Sequence, residues 1–178
     1  MRLDLELDTL LSNWRMQMKN LIIYFSKTGN TETIAQEISK AVNGELKKIE
    51  LIKDISFGWA GFTSLLGLKG KIKSIDFNVK DYDNIFIGFP VWAGKSSTPI
   101  NSLLDKVDFN GKNVFVFITQ ADNKAPNSVY ESVATRVKAK GGNVIDSFFI
   151  QTDMKNPITS NQAKGPVVDW INKNITVI

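Results

Sequence analysis

The stretch LIIYFSKTGNTETIAQEISKAV, residues 21–42, decides the fold of this chain. It starts with five consecutive apolar residues, which is the pattern of a strand buried on both faces of a parallel sheet. It ends with a predicted helix at 31–42, in which Ile34, Ile38 and Val42 recur at a spacing of four. The stretch therefore predicts the strand, turn and helix unit of an α/β protein.

The same order of apolar strand and helix recurs along the rest of the chain. Two further strands, IFIGF at 85–89 and VFVFI at 114–118, are again continuous apolar runs. Because crossover connections between parallel strands are right-handed, the alternation predicts an α/β doubly wound sheet with helices on both faces. We predict five strands, at 21–25, 45–51, 84–89, 113–119 and 143–151. We predict helices at 31–42, 62–68, 99–107, 127–140 and 161–175.

The 178 residues suit a single domain, which we place at 19–178. Residues 1–18 form an N-terminal extension, which is either an amphipathic helix or a non-native start. The helix interpretation rests on apolar residues at helical spacing, namely Leu3, Leu7, Leu10, Leu11 and Trp14. Residues 53–79 are a long insertion rich in aromatic residues and glycine. They predict either a pocket wall beside the sheet or an apolar flap packed on it.

The composition excludes several classes of function. The chain has no cysteine and no histidine, which removes catalytic thiols, Ser-His-Asp triads and Cys/His zinc sites. Redox chemistry would therefore need a bound organic cofactor, and we predict no metal site. The net charge is +4, but the lysines are scattered, so we expect no nucleic-acid binding. No apolar run approaches a membrane span and no secretory segment is recognised, so we expect a cytoplasmic protein without membrane contact.

The connection SKTGNT combines three hydroxyl side chains with one glycine at the start of a helix. Hydroxyls and free helix amides together form a cradle for a phosphate. The alternative is an ordinary capped turn, in which Asn30 or Thr31 caps the helix.

The longer stretch IIYFSKTGNTETIAQEI, residues 22–38, resembles the FMN-phosphate signature of the flavodoxin family. The resemblance implies a flavodoxin-like fold of the short-chain type, with a five-stranded parallel sheet in the order 2-1-3-4-5. It also implies FMN as the cofactor, with its phosphate held by the loop at 26–31. The residues carried over from the family are Ser26, Lys27, Thr28, Gly29, Asn30 and Thr31.

A second motif, GFPVWAGKSSTP at 88–99, follows the third predicted strand. In open α/β sheets, ligands lie beyond the carboxyl ends of strands at the point where the strand order reverses. The resemblance implies that this loop contacts the flavin ring through Pro90, Val91, Trp92, Ala93 and Gly94. Trp92 offers a planar surface for stacking, and the alternative is a buried structural tryptophan. The GKS triplet lacks the glycine spacing of a nucleotide-binding P-loop.

A third motif, TQADN at 119–123, ends the fourth predicted strand. By resemblance it is the other loop beside the flavin ring, to which Thr119, Gln120 and Asp122 are assigned. The motif departs from the family pattern, because many relatives have glycine here. Asp122 has the alternative interpretation of a turn residue.

These motifs predict an FMN-binding redox protein in which the flavin carries the chemistry and no side chain is catalytic. We expect an oxidoreductase that passes electrons or hydride to a small acceptor. A single-electron carrier is the alternative, but such flavodoxins are strongly acidic and this chain is basic. A third hypothesis is an interaction or regulatory module without redox turnover. The redox donor and acceptor, protein or small molecule, are open, as is the choice between monomer and homodimer.

Overall fold

The computed structural model describes residues 18–74 and 76–175. The predicted N-terminal extension lies outside these residues, except for Met18. Its two interpretations therefore stay predictions.

Within residues 18–74 and 76–175, five parallel strands form the sheet: β1 (Asn20–Tyr24), β2 (Glu45–Lys48), β3 (Asn84–Trp92), β5 (Asn113–Gln120) and β6 (Asn143–Gln151). A short sixth strand, β4 (Lys95–Ser96), pairs antiparallel with the end of β3. The spatial order is β2-β1-β3-β5-β6. Counted over the parallel strands alone, this is the order 2-1-3-4-5, so the predicted doubly wound α/β fold is confirmed.

In the described residues, five helices cover the two faces: α1 (Asn30–Val42), α2 (Phe57–Leu65), α3 (Thr98–Lys106), α4 (Asn127–Lys138) and α5 (Ser160–Ile175). α1 and α5 pack on one face, where Ile38 and Val167 meet Phe86 in a common core. α3 and α4 cover the other face, where Leu103 and Val133 belong to a second core. Within the described part of the chain, no helix is long and apolar enough to cross a membrane.

Two element boundaries differ from the sequence predictions. β3 continues to Trp92 instead of ending at 89, so Pro90 and Val91 lie on a strand. β1 pairs with β3 only as far as Gly88, which leaves one side of β3 unpaired beyond it, and a proline is tolerated at such an edge. β2 in turn ends at Lys48 instead of 51.

The helix of the 53–79 insertion is also displaced from its predicted position at 62–68. It spans Phe57–Leu65 and begins after Ser56, whose Oγ accepts a hydrogen bond from the N–H of Trp59 at 3.4 Å. The start of this helix was not predicted because the helix is apolar on nearly every side. Its apolar residues therefore do not recur with the period of a helix.

A row of asparagines aligns the amino ends of four strands at the edge opposite the predicted site. Asn84 Nδ2 donates to Asn20 Oδ1 at 2.8 Å, and Asn113 Nδ2 donates to Asn84 Oδ1 at 3.2 Å. Asn143 Nδ2 continues the row to Asn113 Oδ1 at 3.4 Å. Each asparagine is the first residue of its strand, so this row, called the asparagine ladder below, fixes the register between neighbouring strands.

Candidate functional site

The predicted phosphate loop connects the end of β1 to the start of α1. Gly29 has φ of 92°, in the left-handed region that favours glycine, and open space lies where a Cβ would point. Its N–H donates to Ser26 Oγ at 3.1 Å, which closes the loop. No side chain caps α1, so the structure does not have the capped turn that was the alternative. The N–H groups of the first helical turn remain available to an anion.

Asn30 anchors this loop to the chain that follows β6. It is 3% exposed, and its Nδ2 donates to Thr28 Oγ1 at 3.0 Å and to the carbonyl of Asp153 at 2.8 Å. Its Oδ1 accepts from the N–H of Ile158 at 2.8 Å. The Asn30 side chain is thus fully engaged within the protein and holds the loop in position.

Lys27 points out of the loop toward the 53–79 insertion. Its Nζ lies 2.5 Å from Asp54 Oδ1 and 5.1 Å from the ring centroid of Phe57. The hydrogen bond from Lys27, with a second one from the N–H of Ile55, lowers the pKa of the Asp54 carboxyl below its ordinary value. Lys27 therefore ties the loop to α2.

The three motifs meet at the carboxyl ends of β1, β3 and β5. Thr31 Oγ1 and Thr119 Oγ1 form a buried hydrogen bond of 2.8 Å between the first and third motifs. Thr119 is paired with Pro90 in the sheet, which brings in the second motif. The N–H of Phe25 donates to the carbonyl of Gly88 at 3.0 Å. The edge predicted from the reversal of strand order is therefore a single compact location.

Trp92 lies inside the core at this edge. Its side chain is 7% exposed, and its ring centroid is 5.3 Å from that of Phe25 at an interplanar angle of 87°. This edge-to-face contact is a favourable packing geometry for two aromatic rings. This position agrees with the alternative interpretation of Trp92 as a buried structural tryptophan. Its stacking on a ligand stays a prediction.

Ala93 and Gly94 form a two-residue hairpin between β3 and β4, with φ of 48° and 70°. Positive φ at both positions is the signature of a type I′ turn, which usually starts with asparagine or glycine. Ala93 therefore carries backbone strain, as residues beside ligand sites often do. Both residues are exposed, and a Cβ on Gly61 of α2 would lie 3.8 Å from the Ala93 Cβ. The hairpin and α2 are neighbours.

The third motif folds back on itself. Gln120 Nε2 donates to the carbonyls of Asp122, at 3.1 Å, and of Lys124. The Asp122 carboxylate accepts from the N–H of Lys124 at 3.0 Å, which is the hydrogen bond of a turn residue. Thr119 is thus the member of this motif whose side chain reaches the phosphate loop.

A cleft of about 540 Å³ lies beside the third motif and was not predicted from the sequence. The chain after β6 forms most of it, and the Asn30 to Asp153 hydrogen bond joins it to the phosphate loop. Its lining residues are Ala121, Gln151, Thr152, Asp153, Met154, Asn156, Ile158 and Gln162. These residues include neither glycine nor a run of hydroxyls, so the only signal in the sequence was their position after a parallel strand.

Solved structures of known proteins share this architecture. The flavoprotein from Lactobacillus acidophilus NCFM, crystallised in complex with FMN, is 29% identical, with a TM-score of 0.61 over 74% of this chain and 93% of that chain. A provisionally assigned flavoprotein from Bacteroides eggerthii has a TM-score of 0.71 at 22% identity, over 89% of this chain and 98% of that chain. An uncharacterized protein from Methanocaldococcus jannaschii is 26% identical over 133 residues, 74% of this chain and 73% of its own length.

The flavodoxin family model matches residues 67–161. This range contains the second and third motifs with β3 to β6, and it lies outside the phosphate loop. It covers more than half of the chain, so the protein belongs to the flavodoxin family.

Proposed function

We propose that this chain binds FMN at the carboxyl ends of β1, β3 and β5 and works as a redox protein. The observation that carries the proposal is the meeting of the three motifs through Thr31, Thr119 and Pro90. The uncapped start of α1 and the open space over Gly29 suit a phosphate. The similar Lactobacillus acidophilus protein, crystallised with FMN, supports this choice of ligand.

The residues of the loop would act in two ways. The N–H groups at the start of α1, with the hydroxyls of Ser26, Thr28 and Thr31, would bind the phosphate. Asn30 and Lys27 would hold the loop in shape through Asp153 and Asp54, and Lys27 would add positive charge at a distance. Bound FMN would supply the ability to accept and donate electrons or hydride, which no side chain of this chain offers.

We favour an oxidoreductase that serves a small acceptor over a single-electron carrier. The net charge of +4 is opposite to the acidic surface expected of a carrier flavodoxin. α2, which carries exposed aromatic residues, also neighbours the Ala93–Gly94 hairpin through Gly61, and a small acceptor could approach there. A cytoplasmic location is part of this proposal, as is the absence of a nucleic-acid partner. The choice between monomer and homodimer stays open.

One observation favours a different class, an interaction module without redox turnover. The third motif lacks glycine, and the side chains of Gln120 and Asp122 bond their own loop. Such a loop would keep a flavin ring at a greater distance than a glycine-rich loop would.

The experiment is a titration of the purified protein with FMN, followed by visible absorption and flavin fluorescence. We expect one FMN per chain, and a reductant titration then shows whether the bound flavin takes up electrons. Thr31→Val removes the hydroxyl that links the first and third motifs, and we expect it to weaken FMN binding about tenfold. Thr135→Val is the matched control, because Thr135 lies on α4 and its hydroxyl donates a hydrogen bond to the carbonyl of Glu131 in the same helix.

The control is expected to bind FMN like the wild type, and urea unfolding checks that both variants are folded. Absence of FMN binding by the folded wild-type protein would contradict the proposal and favour the interaction module. Equal affinity of wild type and Thr31→Val would show that the Thr31 hydroxyl does not contribute to FMN binding.

A further inference from the structure

Helix α2 buries its small residues and exposes its large apolar residues. Its three buried residues are Ala60, Thr63 and Ser64, which are small or carry a hydroxyl. Its large apolar residues face solvent instead, and two more follow in the turn after the helix. The exposed residues are Phe57 (50%), Trp59 (57%), Phe62 (53%), Leu65 (59%), Leu66 (56%) and Leu68 (46%). We call these six residues the apolar face.

The side of α2 that packs against the protein contains none of the helix's large apolar residues. Ser64 Oγ is buried without a hydrogen-bond partner, and Thr63 Oγ1 bonds only the helix backbone, at Trp59 and Ala60. The outward side carries no polar side chain, because the positions between the large residues are Gly58 and Gly61. A contiguous exposed apolar surface of several hundred Å² is at the upper end for a monomeric protein and marks an interaction site.

Several lysines lie close to this face along the chain. Residues 53–73 contain four lysines and one acidic residue, Asp54, which pairs with Lys27. Lys69 and Lys73 pair with Asp105 and Glu50. Lys53 and Lys71 are exposed, as is Lys95 beside the hairpin. In the described part of the chain none of these three forms an ion pair. Lys53 and Lys71 lie within four residues of the apolar face in the sequence, and Lys95 follows the hairpin that neighbours Gly61. We call these three lysines the lysine rim.

We propose that the apolar face of α2, together with Lys53, Lys71 and Lys95, inserts into the headgroup region of an anionic lipid bilayer. Aromatic and leucine side chains with lysines around them are the composition of elements that lie in the membrane interface. Anionic headgroups complement the lysine rim. The nine-residue helix is too short to span a bilayer, so the contact is peripheral. This proposal departs from the expectation of no membrane contact, which rested on the lack of a long apolar run and did not consider a peripheral contact.

A second copy of the chain is a poorer occupant. In a symmetric dimer the same patch meets itself, so the lysine rims of the two copies would face one another. Like charges across an interface oppose association, whereas the headgroups of anionic lipids attract the same lysines.

The proposal does not depend on FMN binding, but it adds a location to the proposed redox site. Gly61 of α2 is the neighbour of Ala93 in the hairpin. Docking of α2 would therefore bring the carboxyl edge of the sheet to the bilayer surface.

The test uses the full chain with vesicles of phosphatidylcholine containing anionic phosphatidylglycerol, and with pure phosphatidylcholine vesicles. Of the tryptophans in the described residues, Trp59 is exposed whereas Trp92 and Trp170 are buried. In a Trp14→Phe background, insertion of α2 therefore moves tryptophan emission to shorter wavelength. We expect co-sedimentation and this shift with anionic vesicles, and much weaker binding to neutral ones.

Two kinds of variant separate the contributions. Phe62→Ser removes apolar contact, and we expect at least a tenfold loss of apparent vesicle affinity. Lys71→Gln removes one rim charge, and we expect about a fivefold loss that disappears at high salt. Leu46→Ser is the matched control, since Leu46 is 39% exposed on β2, outside the face. It is expected to bind vesicles like the wild type.

Three outcomes would overturn the proposal: no binding to anionic vesicles, equal binding to neutral and anionic vesicles, or equal losses in Leu46→Ser and Phe62→Ser. Sedimentation equilibrium adds a fourth, a dimer that Phe62→Ser dissociates, which assigns the face to a second copy. FMN titration of Phe62→Ser separates this proposal from the previous one. If Phe62→Ser still binds FMN but no longer binds vesicles, the membrane contact is supported independently of the FMN site.

Discussion

Gly88 shows how closely the site edge is packed. It lies on β3 where β1 and β5 flank it, and a Cβ built there would lie 1.9 Å from Cζ of Phe117. The ring of Phe117 is itself fully buried, so it has little room to move. Glycine at this position is required by close approach rather than by its backbone angles.

We expect Gly88→Ala to lower the free energy of unfolding by about 1–3 kcal/mol, because the added methyl group overpacks the core. Urea unfolding followed by circular dichroism measures this loss. Gly58→Ala is the matched control, since nothing lies within 4 Å of its Cβ position and it sits in α2. An equal loss in both variants would contradict the packing argument.

At this scale the sequence predicted that the three motifs lie at one edge of the sheet, but it did not predict where their side chains point. The run SKTGNT does form a loop with an uncapped helix start, as its hydroxyls and glycine indicated. The direction of Lys27, in contrast, is set by Asp54, which is 27 residues further along the chain. Asn30 likewise bonds residues after β6. Long-range partners of this kind leave no local pattern in the sequence.

Among the elements, the strands depend on the asparagine ladder at their amino ends. Asn84 is 5% exposed and sits in its middle, where it donates to Asn20 and accepts from Asn113. Asn84→Ala leaves these two amides without their partner, and an unsatisfied buried polar group costs about 1–3 kcal/mol. We expect the free energy of unfolding to fall by this amount in urea unfolding.

Asn143 provides the comparison, because it lies at the exposed end of the ladder and its side chain makes one long hydrogen bond, of 3.4 Å, to Asn113. Asn143→Ala is expected to change the free energy of unfolding by less than about 0.5 kcal/mol. Losses of the same size at both positions would mean that the ladder does not act through burial.

Helices α1 and α5 are joined by a carboxylate. Glu37 Oε1 accepts from Lys40 Nζ at 2.6 Å and from Ser160 Oγ at 2.9 Å. The hydrogen bond from Lys40 is the main reason that the pKa of Glu37 is lowered from its ordinary 4.5. A lowered pKa stabilises the fold at pH above the unfolded value, and this contribution is lost as pH falls through the folded value.

We therefore expect wild-type stability to drop more steeply below pH 4.5 than that of Glu37→Gln. Urea unfolding at a series of acidic pH values gives the two curves. Glu131→Gln, at an exposed position of α4, is the control and should follow the wild type. Parallel curves for wild type and Glu37→Gln would show that this carboxylate titrates alike in the folded and unfolded chain.

The elements themselves were predictable to the extent that their patterns were regular. The continuous apolar runs predicted β1, β3 and β5, and the spacing of apolar residues predicted α1. The sequence failed at α2, because a helix with apolar residues on its exposed side has no contrast between faces. It also failed at the end of β3, since Pro90 reads as a strand breaker unless the neighbouring strand is known to stop first.

For the whole molecule, the absence of histidine restricts how stability depends on pH. Histidine is the side chain that ordinarily changes charge between about pH 5 and 8. In the described residues, the resolved shifts of carboxyl and tyrosine groups move their pKa values further from this pH range. Carboxyl pKa values are lowered at Glu37, Glu50, Asp54, Asp105 and Asp153. Tyrosine pKa values are raised at Tyr24, Tyr82 and Tyr130, to about 12 at Tyr82.

Stability depends on pH only where the folded and unfolded chains bind different numbers of protons. The chain has no histidine, and in the described residues the resolved shifts of carboxyl and tyrosine pKa values all lead away from neutrality, so these groups contribute little to that difference. We therefore expect the free energy of unfolding of the FMN-free protein to change by less than about 0.5 kcal/mol between pH 6 and 8. Urea unfolding at both pH values tests this, with the slope against urea held common. A larger change would reveal a lysine or carboxyl that titrates near neutrality, and the variant that removes the change would identify it. A flat profile would show that the folded and unfolded chains bind the same number of protons across this range.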